Sequence, residues 1–274
     1  MGSAVAHALS AGGARVVATL TGRSERTARL AERAGVDLLP DLGAVAREAD
    51  VVLSIVPPEE AASVASAVAS AADESSRPVF VELNAIAPAT VTRIQAALAA
   101  DGLEVVDGSI SGPPPWGPDT TRIYLSGPRA AEVSALPFEG VHTIVVGSRV
   151  GAASAVKMST ASVYKGTSAL LLQALRAAHA NDVLDHVLGD LRTAAPDLVA
   201  HPERRLASAA SKSGRYVGEM REIAATQAAA GLTPTLFEAM AEVYAALAET
   251  PLARENPEDV SSELTLDDVL EALL

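Results

Sequence analysis

Hydrophobic and polar positions in the first half of the chain follow two alternating periods. Short apolar runs rich in Val and Ile fall at residues 14–20, 36–39, 50–57, 78–85, 103–111, 121–127 and 142–148. Gly, Pro, Asn or Asp bounds most of them, and each predicts a strand. Between them, stretches with apolar residues three and four apart fall at residues 3–11, 24–35, 42–49, 59–72 and 88–102 and predict helices. The end signals agree: Gly12-Gly13 closes the first helix, Ser24 caps the second, Glu59 and Glu60 open the fourth, and Pro88 opens the fifth. Strands and helices alternating at these lengths predict parallel β-α-β units in a doubly wound α/β sheet, with the run at 14–20 as one of its buried strands.

After about residue 150 the strand signal stops. The remainder reads as helices broken at Pro196, Pro202, Gly214, Gly231 and Pro251. The expected division is therefore an α/β domain over 1–148 and an all-α domain over 149–274. The second opens on one extended helix, 150–172, which has no proline and a single internal glycine, Gly166. The tail from Glu249 carries eight acidic residues and Arg254, and is expected to be a solvated helix and cap.

Composition narrows the classes. The chain has 274 residues, 49% of them hydrophobic, which is enough for a substantial core. No apolar run reaches the roughly 18 residues of a membrane span. There is no cysteine, which excludes thiolate catalysis and suits a reducing cytoplasm. The net charge of −13 argues against nucleic acid. An anionic ligand must then be held locally, by helix N-termini and single arginines. The histidines at 7, 142, 179, 186 and 201 show no metal spacing beyond His179 and His186, which a solvated helix face explains.

Lysine is scarce: Lys157, Lys165 and Lys212 stand against 18 arginines. A lysine among small apolar neighbours can lose a proton, which arginine cannot, so Lys157 is a candidate acid/base. The alternative is a lysine whose stem lies along its helix and whose ammonium sits in water. Lys157, Ala161, Tyr164 and Ser168 form one stripe of that helix, and Tyr164 is either a second acid or a core tyrosine. Upstream, Ser111 and Gly112 end an apolar strand where doubly wound sheets bind ligands. Pro113-Pro114-Pro115-Trp116 follows as a rigid rim, with Trp116 set to pack on a ligand or on a neighbouring domain. Gly2 precedes a helix as the last glycine of a dinucleotide fingerprint would. Arg23 and Ser24, at the tip of the next strand, suit a ribose 2′-phosphate and so favour NADP over NAD.

Four segments resemble, in order, the β-hydroxyacid dehydrogenase superfamily of 3-hydroxyisobutyrate and 6-phosphogluconate dehydrogenases. Met1-Gly2-Ser3-Ala4-Val5-Ala6 resembles the end of its glycine fingerprint, and Gly22-Arg23-Ser24 its NADP-associated turn. Asp107-Gly108-Ser109-Ile110-Ser111-Gly112 resembles its substrate-binding strand end, and Gly151-Ala152-Ala153-Ser154-Ala155-Val156-Lys157 its catalytic-lysine segment. Val56-Pro57 and Glu82-Leu83-Asn84 fall where the family lines the nicotinamide. The second half resembles a branch ending in a helical domain of unknown function, of the DUF1932 type.

The resemblance implies a Rossmann-type fold and an NADP-dependent oxidoreductase acting on a small β-hydroxy acid or related carbonyl. It implies catalysis by Lys157 with Tyr164 and Ser111, and substrate binding by Ser111, Gly112, Pro113, Trp116 and Thr160. Gly2, Arg23, Ser24, Val56, Pro57 and Asn84 would contact the cofactor. It also implies a homodimer through the helical domain, to which Leu170, Leu171, Leu172 and Leu175 would contribute burial. Three departures stand out. The first strand and the earlier glycines, roughly ten residues, do not precede Gly2, so the expectation is an N-terminally truncated fold. Ala161 replaces the family's Asn four residues after the lysine, leaving Thr160 or Tyr164 to substitute. Arg221-Glu222 replaces its K-D. An imine reductase on the same scaffold, and a non-catalytic binding protein with an incomplete nucleotide site, are the competing readings.

Overall fold

The computed structural model describes residues 1–72, 76–117, 121–261 and 263–273. It divides into two compact units, Met1–Met158 and Ser159–Leu274. The first unit alternates helix and strand in the order α1 (Gly2–Ala11), β1 (Val17–Ala18), α2 (Glu25–Ala34), β2 (Asp37–Leu38), α3 (Leu42–Glu48) and β3 (Val51–Ser54). It continues with α4 (Ala61–Ala71), β4 (Val79–Glu82), α5 (Pro88–Ala100), β5 (Val105–Ser111), β6 (Thr121–Ser126), α6 (Ala130–Ser134) and β7 (Val141–Gly147).

Strands β3 to β7 form one sheet in sequence order, parallel except for the β5–β6 pair. That antiparallel pair departs from the expected parallel run. The connection from Ser111 to Thr121 is proline-rich and too short to hold the crossover helix that a parallel neighbour needs. β1 and β2 pair in parallel as a separate two-stranded sheet. The expected buried strand at 14–20 is thus two residues long and half-buried, because β1 pairs with β2 alone among the described residues.

Helices cover both faces of the sheet's central strands, which read as continuous apolar runs, while the edge strand β7 is largely exposed. Phe80 and Val52 pack with Val68 of α4 and Val91, Ile94 and Leu98 of α5. Val79, Val81, Val106, Ile123 and Leu125 pack on the other side with Val5 and Leu9 of α1 and Val133 of α6. The two glycines after α1 serve different ends. Gly13 takes the left-handed conformation (φ 98°). Gly12 is needed for space, since a Cβ there would lie 1.8 Å from the carbonyl oxygen of Pro137.

α7 (Ala152–Ala180) is 29 residues long and carries the chain into the second unit. There follow α8 (Leu184–Ala194), α9 (Pro202–Ala210), α10 (Ser213–Ala229), α11 (Thr235–Ala248) and α12 (Leu266–Ala272). Gly214, expected to break a helix, lies in the first turn of α10 instead. Leu171, Leu172 and Leu175 are buried in the protomer and Leu170 is exposed (62%), so three of the four leucines expected at a subunit interface are already covered without a second copy. Tyr244 is fully buried, donates its hydroxyl to the carbonyl of Lys165 at 2.8 Å, and meets the Tyr216 ring edge-on at 5.2 Å. Burial raises its hydroxyl's pKa, so it remains a donor. Glu219, 4% exposed, pairs with Lys165 and, at 3.0 Å, with Arg215. The acidic tail keeps its acids exposed and ends in a capped helix, as expected, with an apolar inner side. Thr265 and Asp268 form a capping box, and Val269, Leu270 and Leu273 behind it are buried.

Candidate active site

The site-bearing residues of the first unit gather at the C-terminal ends of β3, β4 and β5. At the end of β4, Asn84 is 3% exposed and its side chain turns inward. Its amide oxygen accepts from the Val56 N–H at 2.6 Å and its amide nitrogen donates to Ser54 at 3.0 Å. Its own N–H donates to Glu82 Oε1 at 2.8 Å. Asn84 therefore fixes the backbone of the turn that carries Val56 and the exposed Pro57. Glu82 is fully buried, and its Oε2 has no hydrogen-bond partner among the described residues. Burial pushes its carboxyl up to about 7, with a smaller push from the neighbouring Asp107 carboxyl, against opposing hydrogen bonds from Asn84 and Ser54.

On β5, Asp107, Ser109 and Ser111 alternate with the inward apolar residues and share one face. Asp107 is fully buried and accepts four hydrogen bonds: from Ser126 Oγ at 2.8 Å, the Gly151 N–H at 2.9 Å, the Ser154 N–H at 3.1 Å and Ser154 Oγ at 2.6 Å. All four are donors, so Asp107 serves as a carboxylate that caps the start of α7. Gly151 makes this possible by adopting φ 100°, which L side chains rarely tolerate. Ser109 Oγ donates to the Ala153 carbonyl at 2.9 Å, and Ser126 Oγ accepts from the Ala153 N–H at 3.0 Å. With the first turn of α7 held in this way, Lys157 is half-buried and its Nζ donates to the Ile110 carbonyl at 2.7 Å. Lys157 thus reaches the backbone next to Ser111 at the end of this strand.

The remaining candidates spread around this end. Gly112 is exposed at φ 116°, Pro113 is exposed, and Thr121 Oγ1 donates to the Pro113 carbonyl at 2.6 Å. Trp116 lies against α1 and α2: its ring is 5.3 Å from that of His7 on α1, with the Arg33 guanidinium of α2 4.3 Å from its centroid. Thr160 and Tyr164 belong to the second unit. Both are exposed, Tyr164 by 69%, whereas Ala161 is buried, so that stripe of α7 does not share one environment.

The donor set suits an anionic nucleotide. α1 opens at Gly2 with no side-chain cap and no acid in its first turn. Arg23 is exposed, and its side chain has no partner among the described residues. Ser24 caps α2, accepting from the Thr27 N–H at 3.3 Å. Among the described residues, no cluster of three His, Asp or Glu side chains is placed to hold a metal ion. None of the described helices is long and apolar enough to cross a membrane. Reasoning from sequence singled out neither Asp107, Ser126 and Ser154 nor the burial of Glu82. An acid inside an apolar strand was the available signal.

A sheet parallel in three of its four strand pairs and wrapped by helices, with its polar residues collected at the strands' C-terminal ends, is a Rossmann-type fold. Family comparison agrees. Residues 1–85 match the family described as NADP oxidoreductase, coenzyme F420-dependent, and residues 178–247 match a domain of unknown function (DUF1932). A solved structure of a conserved protein of unknown function, reported as similar to 3-hydroxyacid dehydrogenases, is 31% identical with a TM-score of 0.65, covering 90% of this chain and 93% of its own. An uncharacterised protein of Methanothermus fervidus is 29% identical over 167 residues, or 61% of this chain, and the match spans only 63% of that relative's length. A 3-hydroxyisobutyrate dehydrogenase from Salmonella typhimurium shares the fold at 18% identity and a TM-score of 0.69, over 98% of this chain and 95% of its own. The chain belongs to the β-hydroxyacid dehydrogenase-like family, in the branch with a DUF1932 C-terminal domain.

Proposed function

We propose that the protein is a nicotinamide-dependent oxidoreductase that uses NADP in preference to NAD to interconvert a small β-hydroxy acid, or a related alcohol, with its carbonyl form. The observation that carries this reading is the 2.7 Å contact of Lys157 Nζ with the Ile110 carbonyl, which holds an ammonium beside Ser111 at the C-terminal end of β5. The family membership and the NADP oxidoreductase match over residues 1–85 support it.

In this reading residues 1–148 form the cofactor domain and residues 149–274 the helical, dimerising domain. The cofactor's phosphates would lie at the start of α1 by Gly2, and its ribose phosphate at Arg23 and Ser24. Val56, Pro57 and Asn84 would border its nicotinamide. When bound, the cofactor supplies or accepts a hydride. Lys157 gives a proton to the substrate oxygen as negative charge develops there, or takes it in the reverse direction. One hydride and one proton together convert the carbonyl to the alcohol. Ser111 and the amides of Ser111 and Gly112 hold the substrate's other oxygens, Pro113 and Trp116 border them, and Thr160 and Tyr164 are further candidates for substrate contact. Val163, Tyr164 and Leu170, all exposed on α7, are the side chains a second copy would cover.

The test is hydride transfer, followed by nicotinamide fluorescence, with NADPH or NADH against 2-oxo acids and cyclic imines and with NADP+ or NAD+ against 3-hydroxy acids. NADPH-dependent turnover of an acid is expected. Turnover of cyclic imines alone would make the protein an imine reductase. No turnover and no saturable NADPH binding would overturn the reading in favour of a non-catalytic binding protein.

A further inference from the structure

The strand end beside Lys157 carries a cation that the foregoing reading does not use. In the antiparallel β5–β6 pair, Asp107 is opposite Ser126, Ser109 is opposite Tyr124, and Ser111 is opposite Arg122. Directly opposed residues in such a pair point to the same face, with Cβ atoms about 4.5–5.5 Å apart. The first members of this row identify the face. Asp107 reaches Gly151 and Ser154, and Ser109 reaches Ala153, so the row runs along the start of α7. One step further, Ser111 and Arg122 stand on that same face, level with the residue whose neighbour, Ile110, receives Lys157.

Arg122 is exposed, and among the described residues its side chain has neither a hydrogen bond nor an ion pair. The Ser111 hydroxyl likewise has no partner among them. Arg15 pairs with Asp37 and Glu48, and Arg129 with Glu104 and Glu132, whereas Arg122, like Arg23, has no acid partner among the described residues. In a chain of net charge −13, an arginine left without an acid at the mouth of the candidate site is a local exception to the global field.

Resting on the proposed reaction, we infer that Arg122 and Ser111 form a clamp for the carboxylate of the substrate, and that Arg122 is the residue that selects acids over uncharged analogues. The guanidinium fork matches a carboxylate in two-point contact, and the serine hydroxyl completes the pair. Lys157, approaching from α7, is left for the oxygen that gains or loses the proton. The division of labour separates charge recognition on β6 from proton transfer on α7.

The experiment compares oxidation of 3-hydroxypropionate and of its methyl ester, with NADP+ as the hydride acceptor, by the wild type and by Arg122→Gln. Arg122 is exposed, so the variant is expected to fold, and Arg122→Lys keeps the charge without the fork. Arg122→Gln should raise the KM of the acid relative to that of the ester by about tenfold or more, the loss expected for one charge-assisted hydrogen-bonded pair. Arg122→Lys should recover part of that ratio. A second readout does not require turnover: protection of Lys157 from acetic anhydride by 3-hydroxypropionate, scored by peptide mass spectrometry with Lys212 as the internal control. The variant should need about tenfold more acid for the same protection. Equal ratios for acid and ester, equal protection in variant and wild type, or no protection of the wild type would each overturn the clamp. Absence of turnover with protection preserved would instead remove the proposed reaction and leave the acid site standing.

Discussion

Glu82 offers the most quantitative check on the site's electrostatics. Its carboxyl is buried between β3 and β5 and is pushed up to about 7 from an ordinary 4.5. Between those two values the folded state holds a proton that the unfolded chain releases, so stability falls as pH rises. The contribution is fully present below about 4.5 and is lost as pH climbs through about 7. At about 1.4 kcal/mol per pH unit, the loss amounts to about 3 kcal/mol. Glu82→Gln preserves the acceptor for the Asn84 N–H and never ionises. It should match the wild type near pH 4.5 within about 1 kcal/mol and exceed it by about 3 kcal/mol at pH 8. The assay is urea unfolding at several pH values, read by the fluorescence of Trp116, the single tryptophan, which reports the first unit alone. The difference between variant and wild type is the relevant quantity, because contributions common to both cancel. A difference that stays constant from pH 4.5 to 8 would refute the buried neutral carboxyl.

Other perturbations follow from the same geometry. Asp107→Asn exchanges a carboxylate facing four donors for a group that accepts at one atom only; it should cost about 2–4 kcal/mol by Trp116-detected unfolding and lower kcat more than it changes the KM for NADPH, because Lys157 is displaced. Arg23→Ala should weaken NADPH binding by about tenfold while leaving NADH binding within about twofold, measured by fluorescence titration. Tyr244→Phe leaves the Lys165 carbonyl without its donor in the core of the second unit and should cost about 1–2 kcal/mol in thermal or urea unfolding followed by circular dichroism.

Much of the architecture was legible because each strand is a short apolar run stopped by Gly or Pro, and each helix carries its own end signals. Ser24 and Gly35 bracket α2 as side-chain cap and left-handed C-cap, as their residue types predict. What sequence did not disclose depends on partners distant along the chain. Strand direction is one case: residues 121–127 look like any other apolar run, and their antiparallel pairing follows from the connection before them. The exposure of β1 is another, since burial depends on neighbours on both sides. Asp107 caps a helix through the N–H of Gly151, 44 residues later, a separation at which no local pattern survives. The leucines of α7 illustrate the opposite error: an apolar run around a helix was read as an interface, while three of the four are buried in the protomer itself. Lys157 was legible from lysine scarcity and its small neighbours. Arg122 was not, because its significance comes from the register that sets it opposite Ser111.

The central claim is that Lys157 moves the proton in a hydride-transfer reaction on a bound nicotinamide. Single-turnover oxidation of NADPH by the wild type and by Lys157→Ala, with NADPH affinity measured in parallel, tests it directly. The account predicts a fall in turnover of at least about 100-fold with NADPH affinity within about twofold. Turnover by Lys157→Ala within about threefold of the wild type would contradict it.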